Sequence, residues 1–273
     1  MHKESFIRQV VSEDIGRGDL FSFFGRSKET KAYVLAKSSG VFASREYVSV
    51  FEELYPIKIT WHIEDGEHFK AGDKLLHITG DSMTLLSLER SILNIILHAS
   101  GIATLTDTHC KAIEGSGVKL LDTRKTRPLL RIFEKYAVRC GGGINHRMGL
   151  DDALMLKDTH LATIDNLGAY IKEARKSIPF TTAIEIECES VEMAQRAMEL
   201  GADIVMCDNM NIDDMKKVIH YKNANYPHIL IEASGNVTLD TIGDIAKCGV
   251  DAISTGSIIH QATWVDISMK IEA

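Results

Sequence analysis

Positively charged side chains are concentrated in one stretch of an otherwise acidic chain. The sequence has 273 residues and a formal net charge of -7 at pH 7. Between Leu120 and Arg147, however, seven Lys or Arg residues stand against two acids. A compact group of cations in an acidic protein is typical of a site for small anions, whereas nucleic-acid binding uses an extended basic face. We therefore expect a pocket for a small, highly charged anion and no nucleic-acid partner.

Three groups of residues could line such a pocket. The first is cationic, since guanidinium groups bind carboxylates through paired hydrogen bonds and ammonium groups add compact charge; it comprises Arg124, His146, Arg147 and Lys157. The second is the acidic pair Glu187 and Asp208, which could form ion pairs, act as general acid and base, or bind Mg²⁺ beside a phosphate. The third is a pair of glycine-containing turns, 232–236 and 254–257, whose backbone N–H groups could hold a phosphate.

The elements that position these residues follow from the pattern of residues 117–260. Short apolar runs alternate there with amphipathic stretches, and Ser190 and Gly201 mark the start and end of one predicted helix. This alternation predicts parallel strands joined by helices, in a (β/α) barrel or an open α/β sheet. Polar residues follow six of the apolar runs, at 122–125, 157–158, 187, 208–209, 234–235 and 255–256. Because the carboxyl ends of parallel strands share one edge, we expect a catalytic site there.

The first 113 residues have a different pattern. Residues 1–80 alternate β-like runs with turns, and the segment 57–80, with Gly66 and Gly72 at turns, is similar to the strands of biotinyl or lipoyl carrier domains. Residues 82–113 have apolar residues at helical spacing. Taken alone, Arg90 in this helix is a solvated charge or a partner for Glu89. We interpret the β-rich part as a domain that covers the substrate, with a carrier as the alternative.

Several classes of protein are excluded by composition. No apolar run approaches the roughly 20 residues needed to span a bilayer, and the first residues are interrupted by charge, unlike a secretory signal. The five cysteines are scattered without CxxC spacing. This argues against a zinc site or a disulfide framework and favours a reducing cytoplasm.

Motifs along nearly the whole chain resemble those of the quinolinate phosphoribosyltransferase family. In order, they are EDIGRGDL, LLSLERSILNIILHASGIATLT, LLDTRKTRPLLR, GGGINHRMGLDDALMLKDTH, EIECES, MCDNM, EASGNV and STGSIIH. The resemblance implies an N-terminal α/β sandwich domain, residues 1–101, and an incomplete α/β barrel of the type II phosphoribosyltransferase kind, residues 102–273. The C-terminal tail, from about residue 258, is expected to pack with the first domain.

The resemblance also implies a reaction and roles for individual residues. Quinolinate and phosphoribosyl diphosphate would give nicotinate mononucleotide, pyrophosphate and CO₂ with Mg²⁺, as a step of NAD biosynthesis in the cytoplasm. The quinolinate carboxylates would be held by Arg124, His146, Arg147 and Lys157, with Arg90 reaching the site from the other subunit of a homodimer or larger oligomer. Lys125, Glu187 and Asp208 would serve the ribose diphosphate, the two acids binding the metal directly or through water. Ser234, Gly235 and Gly256 would hold the 5′-phosphate, assisted by His260.

The sequence departs from the family pattern at two positions, Asn236 in place of a second glycine and Thr159 in place of an asparagine. Neither change removes a charge. Asn accepts the left-handed conformation better than most residues, so the phosphate turn is expected to survive. Two alternatives to quinolinate phosphoribosyl transfer stay open: a related barrel phosphoribosyltransferase with another acceptor, such as nicotinate or that of the molybdenum-operon paralogues, and a non-catalytic anion-binding or carrier protein.

Overall fold

The computed structural model describes residues 2–272, which divide into two compact units. The first unit contains residues 2–107, 127–142 and 261–272, and the second contains residues 108–126 and 143–260. The sequence pattern did not anticipate that residues 127–142 group with the first unit. The reason lies in aromatic packing, since the Phe133 ring lies 4.9 Å from Tyr47 and 5.3 Å from Phe6.

The first unit is built on an antiparallel sheet in the order β12–β1–β5–β3. Its strands are β1 (Glu29–Ala36), β3 (Ile57–Trp61), β5 (Lys74–Asp81) and β12 (Ile267–Ile271), and a short pair is formed by β2 (Gly40–Val41) and β4 (His68–Phe69). In β1 alternate residues are buried, as expected for a sheet with one face on a core. Gly66 and Gly72 have φ of +88° and +96°, which confirms the predicted turns.

Helices complete the first unit. They are α1 (Lys3–Ile15), α2 (Arg45–Val48), α3 (Val50–Leu54) and α5 (Arg131–Cys140), with a 3₁₀ turn at Leu20–Phe23. The helix predicted over 82–113 is confirmed as α4 (Ser82–Ala112), which belongs to this unit as far as Asp107. Its predicted apolar face is buried, with Leu85, Leu88 and Ile92 at most 1% exposed. Arg90, on the same helix, is exposed.

The second unit is a parallel sheet in the order β6–β11–β10–β9–β8–β7. The strands are β6 (Lys119–Leu121), β7 (Leu154–Leu156), β8 (Ile184–Cys188), β9 (Ile204–Asp208), β10 (Leu230–Ser234) and β11 (Ala252–Ser254). Within the described residues, no ladder joins the edge strands β6 and β7. The sheet thus has the parallel strands of an open α/β barrel, which confirms the predicted fold class.

Helices follow or precede these strands in the order expected of crossover connections. They are α6 (Asp158–Leu161), α7 (Leu167–Ser177), α8 (Val191–Glu199), α9 (Ile212–Asn225), α10 (Leu239–Lys247) and α11 (Ser257–His260). The predicted limits of α8 are confirmed, because Ser190 accepts a hydrogen bond from the Met193 N–H and Gly201 has a φ of +92°. No helix between residues 2 and 272 combines the length and apolar character that crossing a membrane requires.

Candidate active site

A cavity of about 570 Å³ opens at the carboxyl ends of the parallel strands in the second unit. Every strand of the sheet contributes residues to it. Most lie at or just after the strand ends, whereas two lie in the segment between α5 and β7. The lining includes Thr123, Arg124, Lys125, His146, Arg147, Lys157, Glu187, Asp208, Asn209, Ser234, Gly235, Asn236 and Ser254. The parallel arrangement therefore brings together residues that are more than 100 positions apart in the sequence.

Lys157 and Glu187 form an ion pair on neighbouring strands of this cavity. The ammonium group of Lys157 donates a hydrogen bond to Oε2 of Glu187. Lys157 follows β7 directly, and Glu187 lies near the end of β8, to which β7 is paired. Glu187 is 9% exposed, and Lys157 is half-buried, so both groups can still face a ligand in the cavity.

Arg147 is a largely buried guanidinium on the cavity wall. It is 8% exposed, and its Nη1 donates to the carbonyl oxygen of Ala153 at 2.9 Å. Burial and the nearby charge of Arg124 lower the pKa of Arg147 from its ordinary value, which still leaves an arginine protonated at neutral pH. A desolvated cation held in this way attracts an anion more strongly than a solvated one.

The segment that carries His146 and Arg147 is fixed by a buried carboxylate. Asp122 is fully buried at the end of β6, and it accepts hydrogen bonds from the Asn145 side chain at 2.6 Å and the His146 backbone N–H at 2.9 Å. The DTRK and NHR motifs are thus joined by direct contacts.

His146 lines the cavity, and Nε2 of its imidazole faces two buried carboxylates. Its Nε2 lies 3.3 Å from Oε2 of Glu185 and 3.4 Å from Oε2 of Glu232. Its Nδ1 accepts the backbone N–H of Arg147 at 2.7 Å. Both ring nitrogens are therefore engaged within the protein, so His146 is not placed to bind a substrate carboxylate in this conformation.

The pKa values of His146 and Glu185 are both shifted from their ordinary values. Burial alone would lower the pKa of His146, but hydrogen bonds and charge from Glu185 and Glu232 raise it above its ordinary value. Burial also raises the pKa of Glu185, with repulsion from Glu232 adding to the effect. Because Nδ1 accepts a hydrogen bond, the ring carries a hydrogen on Nε2, which faces both carboxylates.

The segments that follow β9 and β10 contact each other closely, through Asn209 after β9 and a tight turn at Gly235 and Asn236 after β10. Gly235 has a φ of +82°, and a Cβ atom there would lie 2.3 Å from Oδ1 of Asn209, so only glycine fits. Asn236 also has a positive φ, +49°, and its side chain donates to Oδ1 of Asn209 at 2.9 Å. The amide of Asn209 in turn donates to Asp208 at 2.8 Å. Asn236 thus adopts the conformation expected at the position where the family motif has glycine.

Lys125 lies against a second close backbone approach. A Cβ atom on Gly256 would lie 2.9 Å from the Lys125 side chain, and 3.1 Å from the hydroxyl of Thr123. Lys125 is exposed and lines the cavity, whereas Gly256 is buried behind it. This glycine therefore positions Lys125 more directly than it faces the cavity.

The structure brings together most of the residues singled out from the sequence. Three are not among the residues that line the cavity: Arg90 is in the first unit, Gly256 is buried behind Lys125, and His260, at the end of α11, is exposed. Sequence reasoning missed Glu185 and Glu232. The signal was present, since each lies two residues before a selected strand-end residue and therefore on the same face of its strand.

The middle of the basic stretch belongs to a separate network in the first unit. Nη1 of Arg127 donates to Glu134 at 2.6 Å, and its backbone N–H donates to the same carboxylate at 2.8 Å. His98 lies 2.9 Å from this carboxylate, which is fully buried. Arg127 thus contributes to the buried charge network of the first unit.

Comparison with known proteins identifies one family over both parts of the chain. Residues 102–270 match the Quinolinate phosphoribosyl transferase, C-terminal domain, and residues 19–100 match the corresponding N-terminal domain. A relative from Bacillus subtilis (strain 168), named as a probable nicotinate-nucleotide pyrophosphorylase [carboxylating], is 38% identical over 274 residues, covering 98% of this chain and 93% of the relative. A similarly named protein from Synechocystis is 37% identical over 271 residues, covering 98% of this chain and 92% of the relative.

A solved structure has the same fold over nearly its full length. The nicotinate-nucleotide pyrophosphorylase from Francisella tularensis superposes with a TM-score of 0.92 at 33% identity, covering 99% of this chain and 96% of that one. The similarity therefore extends over both units.

Proposed function

The chain belongs to the quinolinate phosphoribosyltransferase family, and from this premise we propose that it converts quinolinate and phosphoribosyl diphosphate to nicotinate mononucleotide, pyrophosphate and CO₂. This reaction supplies a pyridine nucleotide for NAD biosynthesis. The observation that carries the proposal is the cavity itself, in which four cations, Arg124, Lys125, Arg147 and Lys157, lie around the acids Glu187 and Asp208. Such a site suits two substrates that are both polyanions.

The cations answer the main electrostatic difficulty of the reaction. Quinolinate has two carboxylates and phosphoribosyl diphosphate has several phosphate charges, so the two substrates repel each other in water. Arg124, Arg147 and Lys157 would hold the carboxylates, and Lys125 would hold the diphosphate side of the other substrate. Preorganised cations in a partly buried cavity offset this repulsion without reorganising during the reaction.

The nucleophile is the ring nitrogen of quinolinate. Its lone pair forms a bond to the anomeric carbon of the ribose as the bond to the diphosphate oxygen breaks and pyrophosphate leaves. The positive charge that develops at the sugar is stabilised by nearby carboxylates, a role that fits Glu187 and Asp208. The protein therefore acts mainly by placing two bound substrates in reacting geometry.

Decarboxylation follows from the charge on the ribosylated ring. The bond between the ring and the adjacent carboxylate breaks, CO₂ leaves, and the electron pair remains on the ring carbon, where the neighbouring positive nitrogen stabilises it until a proton is added. Arg147, desolvated on the cavity wall, would orient the ring through its carboxylates.

The 5′-phosphate would be held at the turn after β10. Ser234 and Gly235 line the cavity. Gly235 and Asn236 both have a positive φ, which sets the direction of the backbone N–H groups in this turn. Successive N–H groups in such a turn form a cradle for an anion. Gly256 would contribute through its close approach to Lys125, and His260 would assist from the end of α11.

Glu187 and Asp208 fit the requirements of Mg²⁺. The hydrogen bonds found for these carboxylates in the described part of the chain use Oε2 of Glu187 and Oδ2 of Asp208, which leaves one oxygen on each as a ligand. Hard carboxylate oxygens beside a diphosphate are the usual ligand set of Mg²⁺, directly or through water. When bound, the ion would neutralise charge on the diphosphate. We expect turnover to depend on Mg²⁺ and the Asp208→Asn variant to need more of it.

The activity is tested by supplying phosphoribosyl diphosphate and Mg²⁺ with either quinolinate or nicotinate. We expect nicotinate mononucleotide and CO₂ in equal amounts from quinolinate, measured by chromatography and by release of carboxyl-labelled CO₂. Turnover of nicotinate without release of CO₂ from quinolinate would instead assign the chain to a barrel phosphoribosyltransferase with another acceptor. Binding of quinolinate without any product would favour an anion-binding protein.

Arg90 is proposed to complete the site of a second subunit. It is exposed on α4, outside the unit that holds the cavity, and it lies in the motif SLERSILN. Inactive Arg90→Ala and Arg147→Ala proteins should regain part of the activity when mixed, because one of the two sites in a hybrid homodimer would be intact. Absence of recovery after subunit exchange, verified by differently tagged chains, would refute the contribution of Arg90 across the interface.

The cytoplasm is the proposed location of this activity. All five cysteines are free thiols. Free thiols persist in a reducing compartment.

A further inference from the structure

A second layer of charged side chains lies beneath the proposed quinolinate site. Glu185 precedes the cavity residue Glu187 by two positions on β8, and Glu232 precedes the cavity residue Ser234 by two positions on β10. Side chains two apart on a strand face the same side, so both glutamates point into the interior, one layer deeper. They are only 1% and 3% exposed.

The burial of two carboxylates in the interior of the sheet requires a physical explanation. The interior of an α/β barrel is ordinarily filled by branched apolar side chains, and a buried carboxylate is costly unless it is paired. One oxygen of each group, Oε1, has no hydrogen-bond partner among the described residues. The other oxygen of each, Oε2, faces Nε2 of His146. The stability of the unit alone does not account for such a pair, because apolar residues of similar volume would stabilise the interior at least as well.

The contacts lead from the two glutamates to Arg147. The glutamates hold the imidazole of His146 by its Nε2, and the Nδ1 on the opposite side accepts the backbone N–H of Arg147 at 2.7 Å. The Arg147 guanidinium is directed along the cavity wall, where it binds the Ala153 carbonyl and lies 3.5 Å from the sulfur of Met155. A change in the orientation of His146 would therefore move the backbone that carries Arg147.

We infer that Glu185 and Glu232 are positioning residues for the quinolinate side of the site, and that they act through His146 on Arg147. The inference rests on the proposed function and adds the residues that set its acceptor geometry. His146 connects the buried layer to the cavity wall, and Arg147 makes the contact with the substrate carboxylate. The phosphate turn at residues 234–236 is held by a different contact, from the Asn236 side chain to Oδ1 of Asn209.

The same three residues could instead hold a divalent cation, because the ligand atoms of His146, Glu185 and Glu232 lie within 4.8 Å of one another. Two features favour positioning. Nδ1 of His146 accepts the Arg147 N–H, so Nε2 carries a hydrogen toward the two carboxylates and has no lone pair for a metal, and the electrostatic attraction of Arg147 to Glu185 offsets part of the buried negative charge.

The test compares Glu185→Gln and Glu232→Gln with a matched control, Glu173→Gln, on the exposed face of α7. Glutamine keeps the shape but loses the charge that holds His146. We expect both buried variants to raise KM for quinolinate at least tenfold, with KM for phosphoribosyl diphosphate within twofold of wild type. The control should leave both constants unchanged. A merely structural role would change both constants or neither.

A double-mutant cycle separates action through His146 from independent effects. His146→Asn should raise KM for quinolinate alone, and adding Glu185→Gln to it should change KM by less than threefold. Fully multiplicative effects would overturn the inference. If Glu185→Gln does not fold, Glu185→Asp retains the charge while withdrawing the carboxylate from Nε2, and it carries the same expectation.

Failure of the inference can be told apart from failure of the proposed function. If the wild-type protein does not turn over quinolinate, the proposed function is wrong. If it does, and both glutamine variants keep a wild-type KM for quinolinate, only the positioning role is wrong. One equivalent of a divalent metal bound to the wild-type protein and lost in both glutamine variants would also overturn the positioning role, because it would show that the three residues form a metal site.

Discussion

The ends of the basic stretch 120–147 and its middle have the same kind of charge but different surroundings. At the ends, Arg124, Lys125 and Arg147 line a cavity at the carboxyl edge of a parallel sheet. In the middle, Arg127 is bound to the buried Glu134, and Lys135 is fully buried in α5 of the first unit. Charge density along a sequence therefore indicates a site only where the backbone brings the charges to one sheet edge. The first group should control activity, and the second should control stability.

Lys125→Ala should have the largest effect. Loss of this cavity cation leaves charge on the diphosphate unscreened, and we expect kcat/KM to fall by about 100- to 1,000-fold, the range seen when one preorganised electrostatic contact is removed. Because Lys125 is exposed, the Tm should stay close to that of wild type. The matched control is Lys172→Ala on the exposed face of α7, which should retain full activity. A Lys125→Ala enzyme with near wild-type kcat/KM would contradict the assignment of the cavity cations to activity.

The Gly235→Ala substitution tests whether a change in cavity geometry, without any change of charge, weakens substrate binding. The new Cβ would lie 2.3 Å from Oδ1 of Asn209, at a φ of +82° that disfavours alanine. The turn must move, so we expect KM for phosphoribosyl diphosphate to rise about 10- to 100-fold, which corresponds to about 1.4 to 2.7 kcal/mol. Steady-state kinetics with each substrate varied in turn would measure this. A matched change at another left-handed glycine, Gly201→Ala after α8, should affect stability without this effect on KM.

Glu134→Gln should produce the opposite pattern from Lys125→Ala. It removes the charge that pairs with Arg127 and His98 in a buried network, and we expect the free energy of unfolding to fall by about 2–3 kcal/mol. Activity per folded molecule should change by less than about threefold, well below the loss expected for a cavity cation. Chemical unfolding and kinetics on the same preparation would measure both. Glu173→Gln, at an exposed site, is the control for stability. A loss of activity without a loss of stability would contradict the assignment of this region.

The same variant has a pH signature. Burial alone would raise the pKa of Glu134, but hydrogen bonds from His98 and Arg127 outweigh it and lower the pKa below its ordinary value. A lowered folded-state pKa means that the carboxylate stabilises the protein above its unfolded pKa, near 4.3, and that this contribution is lost as pH falls further. Between pH 6 and pH 3, the wild-type protein should therefore lose more unfolding free energy than Glu134→Gln. If the unfolding free energies of the wild-type protein and Glu134→Gln changed equally with pH, the network would contribute no charge-dependent stability.

Asn236→Gly should have the smallest effect. Glycine adopts the φ of +49° more readily than asparagine, but the substitution removes the exposed hydrogen bond to Asn209. These opposing terms should leave KM for phosphoribosyl diphosphate within about threefold and the Tm within about 2 °C, since 1 kcal/mol shifts the Tm of a domain of this size by only a few degrees. Asn236→Ala, which loses the hydrogen bond and keeps the strain, should be the less stable of the two. A tenfold rise in KM for Asn236→Gly would assign the asparagine side chain a direct part in phosphate binding.

Much of the fold and part of the candidate site follow from local rules that can be read in the sequence. Alternating apolar runs and helical stretches, with Ser190 and Gly201 as helix limits, are enough to predict a parallel sheet. The direction of a parallel strand then fixes which end of each run carries the site, and this places Lys125, Lys157, Glu187 and Asp208 together. The resemblance of the motifs added the reaction, which spacing alone does not give.

The tertiary structure decided the features that depend on contacts between distant segments. The packing of residues 127–142 within the first unit depends on aromatic partners far away in the chain, such as Tyr47. The direction of the His146 side chain depends on Glu185 and Glu232, which come from two other strands. A strand's period fixes the face on which a residue lies, whereas the partner of a buried charge is fixed by whichever opposite charge reaches the same interior. For that reason the sequence determined where the cavity lies. Only the folded chain determined which charged residues line the cavity and which are buried behind it and hold the lining residues in place.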